Sequence, residues 1–279
     1  MDKNPFFSVV IPTLNEEKYL TKLLKSLADQ TYHDFEVILV DGKSDDKTIE
    51  VFKKFENKYP ASKIIISDKR NVSYQRNIGA LSSKGKYLIF FDADVGVEKT
   101  FLEEIHLAAI KKNFKLSTTY ILPDSDREID QVMLALSNLG QEIAKIINKP
   151  FMGEFNAIVE KNLFRKLNGF REDLPIHEGP DFAMRALKKN IEIVILPEPK
   201  VIMSLRRFRS EGTLKTLRKY VQINIMSILK GPITHKMFEY SMGGHAHKKR
   251  RRKVDLTKID TYIKAIGKLQ EKINKLLGE

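Results

Sequence analysis

The chain has 279 residues, of which 42% are hydrophobic and 30% charged, a balance that belongs to folded globular proteins and excludes a disordered or fibrous one. It contains no cysteine, which excludes disulfides and thiolate metal centres, and its formal net charge of +13 favours polyanionic partners. No basic leader with an apolar core opens the sequence. Apolar runs such as Tyr87–Phe91 and Ile191–Leu196 are of strand length, so neither a secretory signal nor a membrane span is expected and the predicted location is cytoplasmic.

Taken in chain order, apolar runs alternate with helix-period segments. Phe7–Ile11 is a β-branched run closed by Pro12, and Glu16–Gln30 repeats Tyr19, Leu20, Leu23, Leu24 and Leu27 at helical spacing. Phe35–Val40 is a second strand, and Lys47–Tyr59 a second helix through Ile49, Phe52 and Phe55. Lys63–Ser67, Asn71–Leu81 and Tyr87–Phe91 continue the rhythm, the last being fully apolar as a strand buried on both faces requires. Such alternation predicts a parallel sheet with right-handed crossovers, whose binding crevice lies beyond the carboxyl ends of the strands. The polar groups following these strands are Thr13-Leu-Asn15-Glu16, Asp41-Gly-Lys-Ser44-Asp-Asp46 and Asp92-Ala-Asp94, and all three land on one rim.

Further along, Ile129–Asn148 reads as an amphipathic helix closed by Pro150. Asn156–Val159 reads as a strand, Lys161–Leu167 and Pro180–Asn190 as helices, and Ile191–Leu196 as a strand. Thr213–Lys230 is a basic amphipathic helix, and Lys248–Lys253 an unbroken run of six cations. Basic segments of this kind suit anionic lipid or phosphorylated ligands, and equally a solvated tail. Ile259, Tyr262, Ile266, Leu269, Ile273 and Leu276 form a coiled-coil-like stripe that is short of three heptads, so 256–277 is expected to dock on the core or pair two copies as a homodimer. The predicted organisation is one domain over 1–210, in halves 1–100 and 101–210, with a basic helical extension over 211–279.

The chemistry centres on Asp92 and Asp94. Two carboxylates one residue apart at a strand end suit a hard divalent cation, Mg²⁺ or Mn²⁺, which bridges to a diphosphate and neutralises charge on a leaving group. Alone, Asp-x-Asp is as readily a turn cap beside a surface charge; its place on the same rim as Asp41 gives it weight. For Asp46 and Thr48, capping of the following helix is the preferred reading. A nucleotidyltransferase would need a Gly-rich phosphate loop with a basic residue, and Ile11-Pro-Thr-Leu-Asn15 has neither.

Four blocks, Ser8–Glu17, Leu39–Thr48, Arg76–Gly79 and Phe90–Asp94, resemble family-two glycosyltransferases in order and spacing over roughly the first hundred residues. The resemblance implies an α/β GT-A fold, Rossmann-like, with a mixed and mainly parallel sheet flanked by helices. It also implies a nucleotide diphosphate sugar donor, a divalent metal (Mn or Mg) and inversion at the anomeric carbon. Carried over, Pro12, Thr13, Asn15 and Glu16 lie beside the nucleoside, Asp41 bonds the base, Arg76 approaches base or diphosphate, Asp92 meets the ribose and shares the metal, and Asp94 holds the metal. An Arg fork does suit phosphate, and a carboxylate accepts from a base N–H.

The catalytic base of similar enzymes comes from a Glu-Asp-x-Asp-type block after a Gly-Gly-Phe turn. Here the stretch reads Asn168-Gly-Phe-Arg171 and then His177-Glu-Gly-Pro-Asp-Phe182, with Gly179 where the second acid usually stands. Glu178 and Asp181 remain as catalytic candidates, Glu178 preferred. Ser204-Leu-Arg-Arg-Phe208 resembles the family's Ser-x-Arg-Arg-Phe stretch, in which Arg206 and Arg207 would hold the acceptor or the diphosphate, the alternative being plain surface charge. Gly243–His247 reads as a linker more readily than as a metal site.

The leading expectation is an inverting glycosyltransferase acting on a glycan or lipid-phosphate acceptor, peripheral on the inner face of an anionic membrane. Its rivals are the same enzyme with a soluble acceptor, its tail serving oligomer contacts, and a catalytically silent nucleotide-binding relative. Nucleic acid is the less favoured partner.

Overall fold

The computed structural model describes residues 4–230 and Gly244. The expectations for Lys248–Lys253, for the other residues of 243–247 and for a homodimer through 256–277 fall outside these residues.

Strands β1 (Phe7–Thr13), β2 (Phe35–Asp41) and β4 (Tyr87–Phe91) are buried along their whole length. With β3 (Ser62–Ile66) they form the parallel half of an eight-stranded sheet, in the order β3-β2-β1-β4. Crossovers run through α1 (Leu20–Ala28), α2 (Thr48–Lys53) and α3 (Val72–Ser82). Alternate residues of each strand enter different cores, as a two-residue side-chain period requires. Val9, Ile11, Val37, Leu39, Ile89 and Phe91 pack under Leu20, Leu23, Leu24 and Leu27 of α1. On the other face, Val10, Ile38, Val40, Leu88 and Phe90 join an aromatic cluster of Phe164, Phe170 and Phe182. Each such side chain contributes roughly 1.5–3 kcal/mol by leaving water.

The chain then departs from pure alternation. A two-residue strand β5 (Gly96–Val97), helix α4 (Phe101–Lys112) and strand β6 (Leu116–Pro123) lead into α5 (Glu128–Ile146). β7 (Asn156–Glu160) enters beside β4 but antiparallel to it, pairing Phe91 with Asn156 and Phe90 with Ala157. Helices α6 (Lys161–Lys166) and α7 (Glu178–Leu187) precede β8 (Val194–Met203), and α8 (Arg206–Glu211) and α9 (Thr213–Lys230) follow it. The sheet continues β4-β7-β6-β8-β5, so the mainly parallel expectation holds with β7 and β5 reversed.

Reversal of β7 matters for position: its start, not its end, meets the carboxyl rim of β4. Segment 101–123, which carries no clear pattern, supplies α4 and β6. The last strand begins and ends later than its apolar core Ile191–Leu196, reaching Met203 as the ladder with β6 continues past a register shift near Tyr120. Among the described residues no helix is long and apolar enough to cross a membrane.

Candidate active site

Three loops at the ends of β1, β2 and β4 converge, stitched by side chains. Asp41, fully buried, accepts from Thr13 Oγ1 at 2.9 Å, from Ser44 Oγ at 2.6 Å and from Ser44 N at 2.7 Å. Ser44 Oγ in turn accepts from Asn15 N, and Asn15 Oδ1 accepts from Asp45 N at 2.7 Å. Asn15 has the positive φ (54°) that Asn tolerates, which lets the chain turn here. Pro12 is buried opposite Val40. Asp46 accepts from Thr48 N and serves the start of α2, as expected, while Thr48 Oγ1 accepts from Glu16 N at 2.7 Å.

Helix α3 is pressed onto the sheet at Gly79, where a Cβ would lie 2.4 Å from Val10 Cγ1 and 2.9 Å from Val40 Cγ2. Only glycine allows that approach. Asn71 caps the helix by accepting from Tyr74 N. Its inward residues are thereby fixed. Gln75 Nε2 donates to the carbonyls of Thr13 (2.9 Å) and Val40 (2.8 Å), tying together the ends of β1 and β2. Arg76, only 3% exposed, donates to Glu178 Oε1 and to Asp92 Oδ1, both at 2.7 Å. Burial works against its charge, but Asp92, Glu178 and Glu154 more than offset this, and the guanidinium stays ionised.

A second arginine closes the opposite side. Arg206 grips Glu16 with both Nη atoms, at 2.6 and 2.8 Å, and its Nε reaches Asp94 Oδ2 at 2.8 Å. Its guanidinium lies 4.3 Å from the centroid of the Tyr19 ring. Burial raises the Glu16 carboxyl to about 7, with Arg206 opposing, and also raises Asp94. Arg207 is half-buried and close enough to Asp94 to favour its ionised form. Gly244 donates its N–H to Leu14 O at 3.2 Å, and a Cβ there would meet Glu16 Oε2.

The two catalytic candidates are separated by their partners. Glu178 opens α7 after His177, whose φ of 65° turns the chain, and it faces Arg76. Burial and neighbouring Glu154 raise its carboxyl to about 7. Asp181 is instead held by Arg185 Nε (2.7 Å) and Arg171 (3.6 Å), and Arg185 also donates to the carbonyls of Leu167 and Gly169. Asp181 thus braces the turn at Gly169 rather than facing Arg76. His177 is pushed down to about 4 by burial and stays neutral.

Sequence reasoning placed Thr13, Asn15, Glu16, Asp41, Asp92 and Asp94 on one rim and named Arg76, Glu178 and Arg206 through the resemblance; the structure joins these three to the rim. It missed Gln75, Tyr19 and Glu154. Gln75 directly precedes Arg76 on the same helix, and Tyr19 follows Glu16 by three residues, so a helical reading of each motif could have reached them. Glu154 lies in no pattern. Among the described residues no group of three or more His, Asp or Glu converges as an all-protein metal cage. Asp92 and Asp94 offer only carboxylate oxygens, the donor type a hard divalent cation takes when diphosphate and water complete its shell.

Fold and rim together define an α/β domain with a carboxylate pair at the sheet's central strand end. Residues 8–167 match the family model for glycosyl transferase family 2, and the chain belongs to that family. Its sheet is of the GT-A type. It is 34% identical over 149 residues to a dolichyl N-acetyl-α-D-glucosaminyl phosphate 3-β-D-2,3-diacetamido-2,3-dideoxy-β-D-glucuronosyltransferase of Methanococcus voltae, covering 51% of this chain and 44% of that protein. The chain therefore spans under half of that relative's length. In fold it is similar to residues 1–349 of Staphylococcus aureus TarS in complex with UDP-GlcNAc, with a TM-score of 0.60 and 23% identity over 79% of this chain and 66% of that one. A mannosyltransferase from Pyrobaculum calidifontis in complex with GDP-Man and Mn²⁺ gives a TM-score of 0.60 and 17% identity over 79% of this chain and 65% of that one.

Proposed function

We propose that this chain is an inverting glycosyltransferase that moves a sugar from a nucleotide diphosphate sugar to an acceptor hydroxyl or phosphate. The observation that carries the reading is the convergence of Asp41, Glu16, Asp92 and Asp94 from three neighbouring loops around Arg76 and Arg206, in a chain of this family. Thr13, Asn15 and Asp41 receive the nucleoside, Asp92 the ribose, and Arg76 with Arg206 and Arg207 the diphosphate. Asp94, with Asp92, would hold a divalent cation, which supplies charge neutralisation at the departing diphosphate when bound. A carboxylate seated beside the start of α7 receives the acceptor's proton, and Asp181 keeps the turn beneath it in place.

The acceptor proposed is lipid-linked, at a membrane surface. The archaeal relative's name includes a dolichyl phosphate sugar. Helix α5 also leaves Val132, Leu136, Leu139, Ile143 and Ile146 exposed at four- and three-residue spacing, Ile146 being 78% exposed. One apolar face on a surface helix suits the headgroup boundary of a bilayer. A soluble glycan acceptor is the alternative and gives that face no use.

A thermal-shift screen of UDP-GlcNAc, UDP-glucose and GDP-mannose with and without Mn²⁺ tests the donor half. Binding at a hundred times Kd stabilises by about 2.7 kcal/mol. The expected result is a concentration-dependent rise with at least one donor, whose Mn²⁺-dependent part disappears in Asp94→Ala. No shift with any donor, or a metal-dependent shift that survives Asp94→Ala, refutes the reading.

A further inference from the structure

Gly179 stands where the family's second acid is expected, and its surroundings explain the exchange. A Cβ built there would lie 2.3 Å from Met152 O, 2.9 Å from Glu154 Oε1 and 3.1 Å from Glu154 Cδ. The space a side chain at 179 would enter already holds a carboxylate. Glu154 Oε1 accepts from Gly179 N at 2.6 Å, so the absent side chain at 179 is what lets the acid of another segment seat against the helix start.

The topology explains how Glu154 reaches this place. β7 is antiparallel to β4 and pairs Asn156 with Phe91. Residues just before Asn156 therefore emerge beside the residues just after Phe91, on the rim that carries Asp92 and Asp94. Met152, fully buried in the aromatic core, anchors this approach from behind. Glu154 is half-buried and stays reachable, whereas Glu178 is 6% exposed and committed to Arg76 Nη1.

We infer that Glu154 is the general base of the transfer, supplying from the segment before β7 the carboxylate that position 179 lacks, with Glu178 as the positioning residue that fixes Arg76. The inference rests on the glycosyltransferase reading and deepens it. In the step, the acceptor O–H gives its proton to the Glu154 carboxylate as the acceptor oxygen bonds to the anomeric carbon. The bond from that carbon to the diphosphate breaks with its electron pair going to the phosphate oxygen, and configuration inverts. The products are the glycosylated acceptor, the nucleoside diphosphate and a protonated Glu154. Burial raises the Glu154 carboxyl, with Arg76 and the Gly179 N–H opposing, the direction that makes a carboxylate the stronger proton acceptor.

The test uses the full chain, whichever of UDP-GlcNAc, UDP-glucose or GDP-mannose shifts its melting midpoint, Mn²⁺, and water as acceptor, with nucleoside diphosphate release as the readout. Glu154→Gln keeps shape and is expected to bind donor within twofold of wild type while release falls at least about a hundredfold, the usual range for a lost base. In Glu154→Ala, formate is expected to restore part of the rate, and the rising limb of the wild-type pH–rate profile is expected to vanish in Glu154→Gln. Release by Glu154→Gln above a third of wild type, or a rate loss matched by lost donor binding, overturns the assignment and leaves the glycosyltransferase reading standing. Donor binding by the wild type without release between pH 6 and 9 overturns it too. Failure of the wild type to bind any donor removes the parent reading and this one together.

Discussion

Arg76 is the centre of the buried charge cluster, and its removal has a calculable signature. Arg76→Met keeps the aliphatic bulk that packs beside Phe170 but leaves Glu178 and Glu154 without their cation. Breaking a buried pair from one side costs about 3–5 kcal/mol, and Asp92, which is half exposed, adds little. At pH 8 the melting midpoint should fall by roughly 6–20 °C, taking 2–4 °C per kcal/mol for a domain of this size. The pH dependence gives the sharper test. Arg76 lowers both carboxyls, so without it they rise further, Glu178 from about 7. Between the unfolded value of 4.5 and these raised values the folded state binds more protons than the unfolded one. Stability of the variant therefore grows as pH falls from 8 to 5. A further rise of one to two pKa steps narrows the gap to wild type by about 1.4–2.7 kcal/mol at pH 5. Urea unfolding at pH 8, 6.5 and 5 measures this, and Arg76→Met combined with Glu178→Gln should recover part of the pH 8 loss. A gap equal at all three values, or below about 1 kcal/mol, refutes the reasoning.

Gly79→Ala should cost about 1–3 kcal/mol, because the new methyl meets Val10 and Val40 and lifts α3. Calorimetry should show the lower midpoint and nucleotide titration a weaker Kd, since Gln75 and Arg76 ride on that helix. Vesicle flotation should recover the wild type with anionic vesicles, and Leu139→Glu with Ile143→Glu should cut that recovery at least about tenfold, since burying an apolar side chain contributes well over 1 kcal/mol. Unchanged recovery would assign the exposed α5 face another role.

Much of the first half of the sheet was legible in the sequence because its strands are local signals. Phe7–Ile11, Phe35–Val40 and Tyr87–Phe91 are apolar runs, each followed by the polar residues that the parallel sheet gathers on one rim. β6 was hidden because Ser117, Thr118 and Thr119 are polar yet fully buried, their needs met by Val194 O and by Asn156 across the sheet. β5 has only two residues and exists through pairing with β8. The rim contributed by β7 and α7 resisted for another reason. Glu154 and Gly179 are 25 residues apart and meet only through the reversed strand. The gap left at 179 was readable, and the group that fills it was not.

Reversal of β7 also bears on how such a site changes over time. It gives one spot on the rim two addresses in the chain, one ahead of β7 and one at the head of α7. An acid can pass from one address to the other by two substitutions, with every helix and strand left where it was. A motif search anchored on a single column sees only one of these addresses, and misses a carboxylate that reaches the same place by the other.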